Sequence, residues 1–214
     1  MSRLNMRKNE APGVLITFCG LDGCGKTTML QKLRNELEGR GEKMLLTKQP
    51  SDFVRRSDIF RTYMDCSDHS AYDYRSLSLL AASDRVQHVS HVVAPVLEKG
   101  QIVLSDRYFY SCLANLQARG FEKDRWIYEI AESVIEPDIA FFLDAPVETA
   151  ISRVRSRPSE KDRYIDLELQ YKLREKYIEI CRANGGILLS TDQSPEKTYS
   201  QVIQKVNQVL EGKR

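Results

Sequence analysis

Val14-Leu-Ile-Thr-Phe-Cys19 is an apolar run that leads at once into Gly20-Leu-Asp22-Gly23-Cys24-Gly25-Lys26-Thr27, a match to G-x-x-x-x-G-K-[ST]. A six-residue run with Thr17 as its one polar member reads as a strand buried on both faces, and the helical pattern that follows, from about Lys26 to Glu38, makes the glycine-rich turn a strand-to-helix junction. Glycines at such a junction let backbone N–H groups wrap a phosphate, and the helix N-terminus adds a positive field. Lys26 then places a cation on the β- and γ-phosphate oxygens, and Thr27 offers a hydroxyl to Mg²⁺. A nucleoside triphosphate and Mg²⁺ are expected ligands. The chain has no N-K-x-D guanine motif, so a GTPase is not expected.

Outward from this junction the chain alternates strands and helices. Further strands are expected at Lys43–Thr47, Gln101–Ser105, Asp138–Leu143 and Gly186–Ser190. Helical spacing covers 72–97, 109–119, 123–135 and a last segment from Ser194-Pro195-Glu196, with Ser194 as N-cap and Pro195 in the first turn. Short apolar strands separated by helices predict an α/β, three-layer phosphate-loop fold: a five-stranded parallel sheet with helices on both faces. No repeat or low-complexity linker divides the chain, so residues 1–214 read as one domain with a flexible N-terminus over 1–12.

The 214 residues carry 32 Lys+Arg against 30 Asp+Glu, and this near balance argues against a nucleic-acid coat. No apolar run reaches the ~18 residues of a membrane span, and the first residues lack the apolar stretch of a secretory signal. Five scattered cysteines without a C-x-x-C pair point to reduced thiols in a cytoplasmic protein.

Three further constellations stand out. Ala82-Ser-Asp84-Arg85 lies inside the long helix. Asp106-Arg107-Tyr108, followed by Ser111, sits at the carboxyl end of the third strand, where ligands of doubly wound sheets bind. Arginine suits bidentate phosphate recognition, and Asp106 can hold Mg²⁺ directly or through water. The third, over 152–164, carries Arg153, Arg155, Arg157, Lys161 and Arg163 with little apolar content and reads as a short, mobile basic lid.

Together these motifs resemble the thymidylate kinase family of P-loop nucleoside monophosphate kinases over nearly the whole chain. The resemblance rests on Gly20 to Thr28, Thr47-Lys-Gln49-Pro50, Ala82 to Arg85, Val92 to Tyr108, Pro137 to Glu148, Asp162-Arg163-Tyr164 and Asp192 to Pro195. It implies ATP-Mg²⁺ held by the loop from Gly20 to Thr28, with Asp22 between the donor and acceptor phosphates and near the metal. Arg107 would grip the acceptor monophosphate, with Arg61 a second candidate. Arg85 would hydrogen-bond the acceptor base, and Ser111 would line the sugar–base pocket. The residues around Thr191-Asp-Gln193 would lie beside the adenine. One branch of the family carries a catalytic arginine within the phosphate loop. Gly23 occupies that place here, so the chain resembles the branch with a lid arginine, Arg153 and Arg157 being the favoured candidates. The resemblance also implies a homodimer acting on small nucleotides, with no nucleic-acid or membrane partner.

The implied reaction is transfer of the ATP γ-phosphoryl to dTMP. A monophosphate acceptor is ionised at neutral pH and attacks unaided, whereas a nucleoside hydroxyl benefits from a carboxylate base. Gln49 stands where related nucleoside kinases use Glu, which favours the monophosphate. Two departures bear on the acceptor: Ala81 replaces a stacking aromatic, and Asn115 replaces a tyrosine near the sugar. These two residues also fit a modified pyrimidine monophosphate as acceptor, unless Phe109, Tyr110 or Tyr74 fills the space. The phosphate loop by itself is compatible with a nucleoside kinase on the same fold, and with a non-catalytic ATP-binding protein.

Overall fold

The computed structural model describes residues 3–213, in which five strands are β1 (Val14–Cys19), β2 (Met44–Lys48), β3 (Ile102–Asp106), β4 (Ile139–Asp144) and β5 (Ile187–Ser190). All pair in parallel, in the order β2-β3-β1-β4-β5. Burial follows the apolar runs: every residue of β1 and β3 is buried, whereas the edge strands β2 and β5 are only partly covered. The sequence order reverses at β1, which lies between β3 and β4. The loops leaving β1 and β3 therefore open into one crevice at their carboxyl ends.

The helices on the amino side of the chain are α1 (Lys26–Gly39), α2 (Asp52–Arg55), α3 (Asp58–Asp65), α4 (Tyr74–His88) and α5 (Ala94–Glu98). They are followed by α6 (Tyr110–Ala118), α7 (Trp126–Ala131), α8 (Val147–Arg155), α9 (Leu167–Ala183) and α10 (Pro195–Lys213). Helices α1 and α10 pack together over one face of the sheet, with α4, α6 and α9 forming the opposing layer. The helix expected over 72–97 is interrupted by a π-helical turn at Val89–Val93. Pro95 explains it: proline lacks an N–H and its ring crowds the carbonyl one turn back, so the helix widens before α5. Ser194 caps α10 as expected, accepting from Lys197 N at 3.3 Å.

Two boundaries differ from the sequence-based expectation. Residues 3–12, expected to be a flexible terminus, are docked: Leu4 and Met6 are buried, and Arg7 bridges Ile135 through Arg7 N to Val134 O at 2.9 Å. Met1 and Ser2 lie outside the described residues. The stretch 152–164, expected to be a lid, starts as helix, because Ser152–Arg155 complete α8, anchored by buried Val147, Ala150 and Val154 at helical spacing. The connecting segment then runs from Ser156 to Asp166 and includes a 3₁₀ turn at Pro158–Glu160.

Phe18 of β1 and Phe141 of β4 stand in register and stack at 5.0 Å between centroids, both fully buried. Phe141→Ala is expected to destabilise the fold by about 3–5 kcal/mol, read as a lowered urea midpoint.

Candidate active site

The glycine-rich loop closes at the top of β1. Gly20 has φ +134°, and a Cβ there would meet Leu143 O at 2.4 Å. At Gly23 the φ is +83° and a Cβ would lie 2.0 Å from Ala150 O in α8, so this position excludes any side chain, an arginine included. Lys26 is buried, and its Nζ donates to Leu21 O at 2.6 Å and Gly20 O at 3.2 Å. Thr27 and Thr28 are exposed in the first turn of α1.

Across the crevice, β3 ends in Asp106 and Arg107. Arg107 adopts φ +71°, uncommon for a long side chain, and its backbone is pinned on both sides. Its N–H donates to Phe18 O at 2.8 Å, and its carbonyl accepts from Ser105 Oγ at 2.7 Å. The guanidinium reaches over the phosphate loop, donating to Gly20 O at 3.2 Å, to Tyr177 Oη at 3.0 Å and, in a short contact, to Asp22. The second oxygen of Asp22 accepts from Arg163 at 3.2 Å. Burial alone would raise the Asp22 carboxyl, but Arg107, Lys26 and Arg163 together hold it well below the usual carboxylate range.

The site gathers more positive than negative charge. Arg55 of α2 bonds Pro50 O at 2.7 Å; burial, then the Arg107 charge, lower its pKa, while Asp106 and Asp22 oppose them. Lys48 approaches Asp106 at 3.6 Å. Lys26, Lys48, Arg55, Arg107 and Arg163 thus surround Asp22 and Asp106, with Arg85 beside Arg55, an imbalance suited to phosphates. Asp106 Oδ1 is buried without a hydrogen-bond partner among the described residues, as a cation ligand or water acceptor would be. No group of three or more His, Cys, Asp or Glu among the described residues is arranged to hold a metal. Mg²⁺ would therefore draw most of its ligands from phosphates and water, as it commonly does.

The residues expected from the sequence divide into those the fold gathers and those it does not. Gly20 to Thr28, Asp106 and Arg107 converge. Arg61 does not: it is exposed and pairs with Asp65 at 2.7 Å, while Arg55, earlier in the chain, faces the crevice. Arg157 is exposed. Arg153 lies in α8 and reaches Gly23 O at 3.5 Å and Thr191 O at 3.0 Å, not Asp22. The basic segment instead delivers Arg163, which Glu160 steadies at 2.9 Å. Ser111 is buried, and its Oγ accepts from Tyr177 at 3.1 Å rather than facing an open pocket. Arg85 is buried and donates to Ala81 O at 2.9 Å. The Asn115 amide is bonded to Ser111 O at 2.9 Å and to Arg119 at 3.0 Å, and Arg119 lies 4.0 Å over the Tyr74 ring. Phe109 and Tyr110 belong to the core. Arg55 and Tyr177 do not stand out in the sequence as site residues, whereas Arg163 is visible in the basic stretch and in Asp162-Arg163-Tyr164 without being the favoured arginine.

This geometry meets an independent finding: the thymidylate kinase family model matches residues 18–202. The chain belongs to the thymidylate kinase family. Among its relatives, a "Probable thymidylate kinase" of Thermococcus kodakarensis is 33% identical, over 92% of this chain and 98% of the relative. One of the same name from Pyrococcus horikoshii is 34% identical over 94% and 98%. The matched span includes Asp22, Arg107 and Arg163.

The depressed Asp22 carboxyl contributes stability above the unfolded carboxylate range near ~3.9, and that contribution is lost as the pH falls below it. Asp22→Asn is expected to lower Tm at pH 7, with the gap to wild type narrowing between about pH 5 and 3. A gap constant across that range would contradict the ion pairing.

Proposed function

We propose that this protein transfers the γ-phosphoryl group of ATP to dTMP, giving dTDP and ADP, and that Asp22 organises the transfer. The observation that carries the reading is the Asp22 carboxylate shared by Arg107 from β3 and Arg163 from the lid, beside the phosphate loop. Family membership, and the names of the relatives, support dTMP as acceptor. No feature of the site favours a modified nucleotide, a nucleoside or a non-catalytic role.

In this reading the loop amides and Lys26 hold the donor phosphates, Lys26 exchanging its loop carbonyls for phosphate oxygens. Arg107 and Arg55 grip the acceptor monophosphate, and Arg85 faces the base. An acceptor phosphate oxygen forms the new bond to the γ-phosphorus as the bond to the β–γ bridging oxygen breaks, and ADP departs. The ionised acceptor needs no general base, consistent with Gln49 at the end of β2. Arg163 moves from Asp22 onto the transferring group and offsets its developing charge, taking the part expected of Arg153 or Arg157. Arg153 belongs instead to the donor side, between Gly23 and Thr191. Thr27, Asp22 and Asp106 are suited to hold Mg²⁺ with phosphate oxygens and water, the ion neutralising the β- and γ-phosphates when bound.

A homodimer and a cytoplasmic location complete the proposal. Exposed Leu79 of α4 and Phe53 of α2 support the first. Five unpaired cysteines support the second. Among the described residues no helix is long and apolar enough to cross a membrane.

Steady-state rates on dTMP, dUMP, UMP and dCMP with ATP-Mg²⁺ test the activity, dTMP being the preferred acceptor. Lys26→Ala and Arg163→Ala should each lower kcat by about 10³-fold, whereas Arg157→Ala should change it less than about threefold. Equal losses in Arg157→Ala and Arg163→Ala would refute the lid assignment.

A further inference from the structure

Tyr177 lies in the middle of α9 and is 4% exposed, flanked on the helix by buried Leu173, Ile180 and Cys181. A buried tyrosine at such a position ordinarily fills a core, but its hydroxyl here lies between two residues of the acceptor side. It accepts from Arg107 Nη1 at 3.0 Å and donates to Ser111 Oγ at 3.1 Å. We propose that Tyr177 is a positioning residue for acceptor-phosphate recognition, its hydroxyl holding the Arg107 guanidinium in place while Arg107 exchanges Asp22 for phosphate. The proposal rests on the reading of Arg107 as the acceptor-phosphate cation.

The contacts of Arg107 show why a separate anchor matters. Its backbone is fixed by Phe18 O and Ser105 Oγ, but the long side chain still has to be aimed. Three groups hold the guanidinium: Asp22, Gly20 O and Tyr177 Oη. Nη2 carries the Asp22 contact and is the nitrogen that must be freed for phosphate. Gly20 belongs to the loop that wraps the donor. Tyr177 alone of the three comes from a helix of the opposing layer and can stay in place through that exchange.

The direction of the hydrogen bonds fits this role. Burial pushes the Tyr177 phenol up to about 12, against the lowering effect of Arg107, so the group stays protonated at neutral pH. Its single proton goes to Ser111, which turns an oxygen lone pair toward Arg107. The phenol therefore orients the guanidinium without neutralising it, and Arg107 keeps its full charge for phosphate. Ser111 acts one step further back, through Tyr177.

Calorimetric binding of dTMP and, separately, of ATP-Mg²⁺ to the full chain tests this in a double-mutant cycle. Tyr177→Phe should weaken dTMP binding about tenfold and leave ATP binding within about twofold. In an Arg107→Met background the same change should alter dTMP binding less than about twofold. Equal losses in both backgrounds, or an equal loss for ATP, would overturn the proposal. A different result, Arg107→Met binding dTMP as tightly as wild type, would overturn the role of Arg107 itself. Should Tyr177→Phe fail to fold, Ser111→Ala removes the acceptor of the phenol proton and leaves the phenol itself in place. It should weaken dTMP binding about threefold, again only when Arg107 is present, and no change would overturn the proposal.

Discussion

One carboxylate, that of Asp22, is the contact through which the two basic elements of the site meet. Arg107 arrives from the end of β3 and Arg163 from the segment before α9, and each takes one oxygen of Asp22. Lys26 adds a third nearby cation. Guanidinium groups this close repel one another unless an anion lies between them. Asp22 supplies that charge before any phosphate is present. It also couples the glycine-rich loop, the end of β3 and the segment before α9.

The sheet makes this meeting possible. β1 and β3 are neighbours in register, Phe18 beside Asp106, so the loops that follow them share one crevice. Gly20 and Gly23 permit the phosphate loop to pass within contact of β4 and α8, where any side chain would collide with a carbonyl. The left-handed backbone of Arg107 turns its side chain back over that loop. Such a conformation persists in a long residue only where neighbours over-determine it, as Phe18 O and Ser105 Oγ do here. Strong cation pairing, an unpartnered Asp106 oxygen and closed-in loop geometry thus arise from the same few strand ends.

Much of this architecture is legible in the amino-acid order. The phosphate loop and the five strands follow from short apolar runs punctuated by glycine, and Arg107 from its place at a strand end. The lid arginine is less legible, because composition marks a basic stretch but not which member folds inward. Val147, Ala150 and Val154 extend α8 through Arg155, which turns Arg153 to Gly23 O and Thr191 O and leaves Arg163 to approach Asp22. Arg55 lies in a four-residue helix too short to show periodicity, and Arg61, with the same chemistry, turns outward to Asp65. Tyr177 carries no sequence signal at all, since a tyrosine on the apolar stripe of a helix reads as core. Its partners become visible only when α6 and α9 are packed together.

The proposed catalysis turns on exchange: in that reading the guanidinium groups that Asp22 holds are the ones that take up phosphate. A crystal structure with an ATP–dTMP bisubstrate analogue, in which a phosphate chain joins adenosine to thymidine, shows directly whether they do. Arg107 Nη2 and Arg163 Nη2 are expected to leave Asp22 for phosphate oxygens, with Arg107 still bonded to Tyr177. Bound phosphates with both arginines still paired to Asp22, and Arg157 on the transferring group, would contradict the exchange.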